Sequence, residues 1–509
     1  MQIIILFAVI ITRSIPGIWP EPASWSVLSV AIGLYLGSIA LIGILDRHFA
    51  RDLLELKNYG PRQYAQAWEA SEKISIATRR HSKFVRLQRM FLIFGITALN
   101  MLGFAQKVQI RLDEAMIPTG RLPLVEFILV ISPVVAALII IWLLDYPFHQ
   151  VMRASVRCTL NSQAGRLNAD QPVEVSTLGL WDYLVFNFRS HFLFVAAPVC
   201  VAIFLADCVD IYLAHYLPEW HQAFLILALV LLVLLIAPLM LVRVWKTRSL
   251  EPGDLRDEFE QMCAQVKVRA RDIRVWESGG VLANAGALGI LPKLRYILVS
   301  DGLINNLKRS EIRAVFAHEI AHIKHRHLLF LGIFAITSAM VSTLLGDLAT
   351  WGVFYLNQIM PMFDSNSFDY EYVSTTVFVI SMILIWWKIF GYFSRMFERQ
   401  SDVAGAWMTC PLRADGSLAD ENTLSYEAVY NYADALLKVC ELNGSSIFTN
   451  DWRHGTMYSR MEYLRSLAGK PGGRCEIDRK VKKIERIIFL ALILSLVFLM
   501  LKFWLYGWL

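Results

Sequence analysis

Eight stretches of this 509-residue chain are long and apolar enough to cross a ~30 Å hydrocarbon layer as helices: about 26–45, 88–106, 123–144, 189–211, 222–243, 328–347, 372–393 and 485–508. With 56 % hydrophobic and only 18 % charged residues, the chain has more apolar side chains than a soluble core of this length needs, so lipid is its expected solvent. The run Met1–Thr12 is also apolar, but it is too short to span, lacks a basic start and is followed by Arg13, Pro16, Pro20 and Pro22. It reads as an uncleaved terminal segment rather than a signal peptide.

Lysine and arginine orient the spans, because these residues accumulate in short cytoplasmic loops. Arg47, Arg51, Lys57, Arg62, Lys73, Arg79, Arg80, Lys83, Arg86 and Arg89 follow the first span, and Arg153, Arg157 and Arg166 follow the third. The loop after the fourth span carries Asp207, Asp210 and Glu219, and the loop after the sixth carries Asp347, Asp364, Asp369 and Glu371, with no basic residue in either. The alternation predicts both termini outside and the two long polar segments, about 244–327 and 394–484, together on the cytoplasmic side. The net charge of +6 then reflects topology, not nucleic-acid binding, and seven cysteines without a Cys-x-x-Cys pair support neither a disulfide nor a thiolate metal site.

The chain therefore divides into a membrane region with five spans (1–246), a first polar part (247–327), a membrane hairpin (328–393), a second polar part (394–484) and a last span (485–509). In the first polar part a helical pattern runs from Glu251 and Pro252 to about Val268. Strand-like runs follow at Ile273–Glu277, Val281–Ala283 and Tyr296–Ser300, punctuated by Gly279-Gly280 and Asn284-Ala285-Gly286. A helix then starts with Ser310 as N-cap and Glu311 in its first turn, and is expected to continue directly into the sixth span.

That helix carries His318-Glu319-Ile320-Ala321-His322. A four-residue spacing puts the two imidazoles one turn apart on one face, where both can reach a single zinc ion, with Glu319 beside them as a base. A catalytic zinc needs a third protein ligand and an open position for water. Two spans separate His322 from Ser394–Asp402, so the chain crosses out and back, and Glu398 returns to the same face as third ligand. Asp402, one turn further, is placed to accept the second ring N–H of a ligating histidine. His325 and His327 are read as interfacial side chains rather than ligands.

These residues resemble the integral-membrane zinc endopeptidases that include HtpX and the type 1 CaaX prenyl proteases. The resemblance covers roughly 250–470: Asn284-Ala285, Arg295 to Leu303, Glu311 leading into Ala317-His318-Glu319, Ser394-Arg395, Glu398 and Asp402. It implies a multi-pass α-helical membrane protein with a zincin-like α+β catalytic domain on the cytoplasmic face of a bacterial inner membrane. It also implies roles for His454 and Arg460 in holding substrate and stabilising the transition state. Gly286 and Gly455 depart from the family, which often has an aromatic after Asn-Ala in the prenyl proteases and proline after the downstream histidine, so prenylated substrates are not implied.

The implied reaction is peptide hydrolysis by a zinc-activated water, with Glu319 moving the proton, and Val281, Asn284 and Ala285 lying along an edge strand that binds an extended peptide. Membrane or membrane-associated proteins are the expected substrates, in quality control or maturation. The rival reading is a transporter or scaffold with an inactive site; Glu126, His191, Asp207, Asp210 and Lys388 would serve it, but they lie near span ends and form no midplane pathway.

Overall fold

The computed structural model describes residues 22–51, 54, 72–115, 123–166, 177–360, 370–410, 423–470 and 473–506. Met1–Thr12, Arg13, Pro16 and Pro20, and also Lys57, Arg62, Asp364 and Asp369, lie outside the described residues. The membrane helices are α1 (Trp25–Phe49), α2 (Glu72–Met101), α3 (Phe104–Ala115), α4 (Val125–Arg166), α5 (Leu180–Leu213, with two π-helical turns) and α6 (Glu219–Val244). Large apolar side chains such as Phe224, Leu234, Leu494 and Leu499 point outward, as a lipid-facing surface allows.

Among the described residues seven helices are long and apolar enough to cross a membrane singly, and α2 with α3 forms a pair bent by 54°. The window expected at 88–106 is thus not one straight helix. Helix α2 runs antiparallel to α1: its His81 Nδ1 meets Asp46 Oδ2 at 2.7 Å near the end of α1, and past its last residue Leu102 O accepts Ala23 N–H at 3.0 Å beside the start of α1. The polar helix α3 turns aside at that far end, where Lys107, Arg111, Asp113 and Glu114 cannot enter hydrocarbon.

The polar parts fold into one layer at the opposite end of the bundle. Strands β1 (Thr247–Ser249), β2 (Asp272–Trp276), β3 (Ala285–Leu288) and β4 (Tyr296–Ser300) form a sheet of order β1-β2-β4-β3, with β2 and β4 parallel and the other pairs antiparallel. The third strand is not Val281–Ala283 as the sequence predicts. Asn443 accepts Ala283 N–H at 3.1 Å and donates to Ala283 O at 2.7 Å, so this backbone is already paired, and the ladder on β4 falls to the Ala-Gly-Ala-Leu run that carries no β-branched residue.

Helices α7 (Asp254–Gln265), α8 (Asp301–Asn306) and α9 (Arg309–Lys324) accompany the sheet. They are followed by α10 (His327–Ile359), α11 (Tyr372–Met408), α12 (Tyr426–Leu442), α13 (Met457–Leu467) and α14 (Gly473–Tyr506). The N-cap of α9 is Lys308, not Ser310: the Glu311 carboxylate reaches back to accept Lys308 N–H at 2.8 Å. Nor does α9 run straight into the span. It stops at His325, and Arg326 adopts the left-handed conformation (φ 55°) before α10 begins.

Alternation within α9 buries Phe316, Ala317, Ile320 and Ala321 completely and leaves His318, Glu319 and His322 on the half-open face. Phe316 stacks on Phe259 of α7 with centroids 3.7 Å apart, clamping the helix to the domain core. A side chain buried to this degree contributes roughly 1.5–3 kcal/mol.

Contacts from α4, α5 and α6 join this layer to one end of the bundle. The end of α6 packs Val242 against Tyr296 and Leu298 of β4, Arg189 near the start of α5 donates to Val244 O at 2.8 Å, and Arg153 of α4 donates to Gly280 O at 2.8 Å and Leu442 O at 3.2 Å. At the far end, Lys502 of α14 pairs with Asp347 of α10 at 2.6 Å.

Candidate metal centre

The break after α9 and the return of α11 bring three ligand-type side chains to one point. His318 Nε2 and His322 Nε2 are 3.1 Å apart, and Glu398 Oε2 and Oε1 lie 3.4 Å from the first and 3.8 Å from the second. A tetrahedral ion held at about 2.1 Å from each donor separates its ligands by roughly 3.4 Å. The three residues fit such an ion in donor type and spacing, and among the described residues they are the group able to hold a metal.

The charge balance supports that fit. Burial works against a proton on His318, but hydrogen bonds to Asp402 and Glu398 push its pKa up to about 10. His322, buried and facing a charged His318, is held well below the usual histidine range. The carboxylates of Glu398 and Asp402 thus favour positive charge at His318, the sign that a cation at the same point would carry.

Around the three converge the other residues singled out from the sequence. Asp402 Oδ1 sits 3.1 Å from His318 Nδ1 and so fixes Nε2 as the nitrogen turned inward. Arg460, 6 % exposed, grips Asp402 with Nε (2.8 Å) and Nη2 (2.6 Å) and reaches Glu398 Oε2 with Nη1 (3.0 Å). Its guanidinium is therefore occupied by the two carboxylates rather than turned toward an open cleft. His454 Nδ1 contacts Glu398 Oε1 at 2.8 Å from a side chain that is 45 % exposed, which leaves its far edge accessible.

The His454 turn explains one departure from the family. Asp451 Oδ1 accepts the N–H of Arg453 and of His454, and Gly455 closes the turn with φ +74°. Proline, locked near −65°, cannot adopt that angle.

Glu319 lies beside His318 on α9. Burial, reinforced by the negative charge of Glu398, raises its pKa despite the opposing pull of His318, His454 and Arg460. A carboxylate shifted upward is a better proton acceptor near neutrality. Ala285 opens β3 and Asn284 precedes it, pairing with Ser300 through its own N–H (3.0 Å) and C=O (2.9 Å); Val281 lies in the loop before them. β3, the edge of the sheet, packs beside α9, the helix that carries His318 and His322.

Four partners were not foreseen from the sequence. The hydroxyl of Tyr432 lies 3.1 Å from His318 Nδ1 and 3.4 Å from Asp402 Oδ1. Gly405 admits it, since a β-carbon there would meet the Tyr432 oxygen at 2.8 Å. His327, Gln400 and Asp478 form a second group behind His322.

Residues 249–419 match the model of Peptidase family M48. Among similar proteins, "Protease HtpX homolog" of Aeropyrum pernix is 36 % identical over 104 residues, 20 % of this chain and 32 % of that protein. "Protease HtpX" of Mannheimia succiniciproducens is 30 % identical over 143 residues, 26 % and 45 % of the two chains. The matching stretches thus span less than half the length of these relatives. The crystal structure of S. mikatae Ste24p aligns over 87 % of this chain and 100 % of that one at 15 % identity and a TM-score of 0.45, which leaves the fold to be argued from this chain itself.

Proposed function

We propose that this chain, an M48 peptidase over residues 249–419, is a membrane-embedded zinc endopeptidase that hydrolyses peptide bonds of membrane or membrane-associated proteins. The observation that carries this reading is the convergence of His318, His322 and Glu398 at ligand spacing, with Glu319 on the same helix face. Bound zinc would supply a Lewis acid for a water and for the scissile carbonyl.

The chain's own residues do the rest. Glu319 accepts the proton of the attacking water and returns it to the departing amine, so no acyl-enzyme is required. His454, with its exposed edge, donates to the developing oxyanion. Arg460 acts through Asp402 and Glu398 and is a positioning residue. The open edge of β3 receives an extended peptide by main-chain hydrogen bonds, with Asn284 and Val281 at its entrance.

Arginine and lysine gather at the end of the bundle that holds the site, which supports a cytoplasm-facing centre in a bacterial inner membrane. The transporter reading finds little support. Asp207 accepts Leu124 N–H at 2.9 Å and Lys388 lies 4.0 Å over the Trp387 ring, both local tasks.

The test is zinc content and cleavage of an unstructured membrane-protein substrate by the purified chain and its Glu319→Gln variant. The variant is expected to keep zinc and lose about 10²–10⁴-fold in rate. Equal rates would sink the mechanism.

A further inference from the structure

Behind His322, on the side away from Glu398, three polar side chains from three different helices form a line. His322 Nδ1 lies 2.9 Å from His327 Nδ1 at the start of α10. His327 Nε2 lies 2.8 Å from Gln400 Oε1 on α11, and Gln400 Nε2 lies 2.6 Å from Asp478 Oδ1 on α14. His327 is 1 % exposed and Gln400 4 %, and the His327 ring is held flat against Phe397, with centroids 4.4 Å apart and planes 6° from parallel.

Hydrogen-bond direction along this line is forced from one end. An ionised carboxylate only accepts, so Gln400 must present its amide N–H to Asp478 and its carbonyl oxygen to His327. His327 must then carry its proton on Nε2, which leaves Nδ1 as an acceptor. Ser401 Oγ lies 3.3 Å from that Nδ1, farther than His322 Nδ1 at 2.9 Å. The remaining partner of Nδ1 is the His322 Nδ1–H, and His322 is left with its lone pair on Nε2, facing His318 and Glu398.

We infer that His327, held by Gln400 and Asp478, is a positioning residue that fixes the tautomer and plane of His322, as Asp402 does for His318. The inference rests on the proposed metal centre. It gives the two metal-binding histidines different kinds of support: an anion behind His318, and a neutral imidazole polarised by a distant anion behind His322.

The break between α9 and α10 is what makes this contact possible. In an uninterrupted helix, residues five apart point about 140° away from one another. The left-handed Arg326 turns the chain so that His327 faces back to His322.

The test measures zinc transfer from the zinc-loaded full chain to a colorimetric chelator. Loss of partners behind a ligating histidine typically weakens metal binding 10- to 100-fold. Gln400→Leu is expected to show a loss of about that size, and Asp478→Asn, a half-exposed change that leaves the core intact, a smaller loss. The double variant Gln400→Glu with Asp478→Asn restores the line with donor and acceptor exchanged at its outer end, and is expected to hold zinc within about threefold of wild type. A merely structural role for Gln400 would not predict that rescue.

Wild-type retention in folded Gln400→Leu, or a double variant no better than Gln400→Leu, would overturn the inference while leaving the metal centre standing. A wild-type chain that takes up no zinc, with Glu319→Gln doing the same, would overturn both.

Discussion

Two buried histidine–carboxylate clusters lie at the same end of the bundle, and they are built on opposite principles. In the metal centre, His318, His322 and Glu398 turn ligand atoms toward a common point while Asp402 and His327 take up the other ring nitrogens. In the membrane body, His81 lies between two carboxylates, Asp46 at 2.7 Å from Nδ1 and Asp145 at 3.5 Å from Nε2, and Tyr183 donates to Asp145 at 3.1 Å. Each ring nitrogen of His81 thus faces its own carboxylate, and no common point is left between them. The first cluster has the donor set and spacing of the proposed metal site, whereas the second pairs a histidine with carboxylates on opposite sides of its ring.

The sharpest way to break this contrast is to remove one carboxylate from each. Glu398→Ala is expected to abolish stoichiometric zinc, whereas Asp145→Asn and His325→Ala are expected to retain it, as read by metal analysis of the purified chain. Zinc loss in His325→Ala but not in Glu398→Ala would mean the third ligand is misassigned.

Arg460→Met comes next. It strands two buried carboxylates, and breaking a buried ionic network from one side costs about 3–5 kcal/mol. Thermal unfolding of the zinc-free chain should show the loss, with bound zinc recovering part of it by neutralising Glu398.

Asp46→Asn sharpens the comparison from the other side. It weakens a single hydrogen bond to His81 and should cost about 1–3 kcal/mol without altering zinc retention. Arg326→Gly is expected to have the smallest effect, a gain of about 1 kcal/mol in unfolding stability, because glycine adopts the left-handed conformation without the β-carbon clash. A loss there would show that the Arg326 side chain matters more than its backbone angle.

The metal centre was readable in the sequence where it depends on local spacing or on counting membrane crossings. His318 and His322 share a face because helical periodicity demands it, and Glu398 returns because two crossings make a round trip. Where tertiary contacts override local preference, the sequence was silent. Val281–Ala283 looks more like a strand than Ala285–Leu288, but a remote asparagine claims its backbone. His327 reads as an interfacial side chain because nothing in Lys324-His325-Arg326 announces the left-handed turn that brings it back to His322. Tyr432 belongs to no motif, and its hydroxyl finds its place beside His318 because the residue opposite is the small Gly405.

The edge strand bears on which chains this site would admit. Ala285, Gly286 and Ala287 present a backbone with almost no side chain, so a guest pairing there is read by its conformation and hardly by its sequence. A strand of four residues engages about 13 Å of extended chain, at roughly 3.3 Å per residue. A helical or tightly folded segment must first lose its own hydrogen bonds to offer that length. Cleavage rates across different guests should then follow how often each segment frays open, so that susceptibility is set by a guest's local stability.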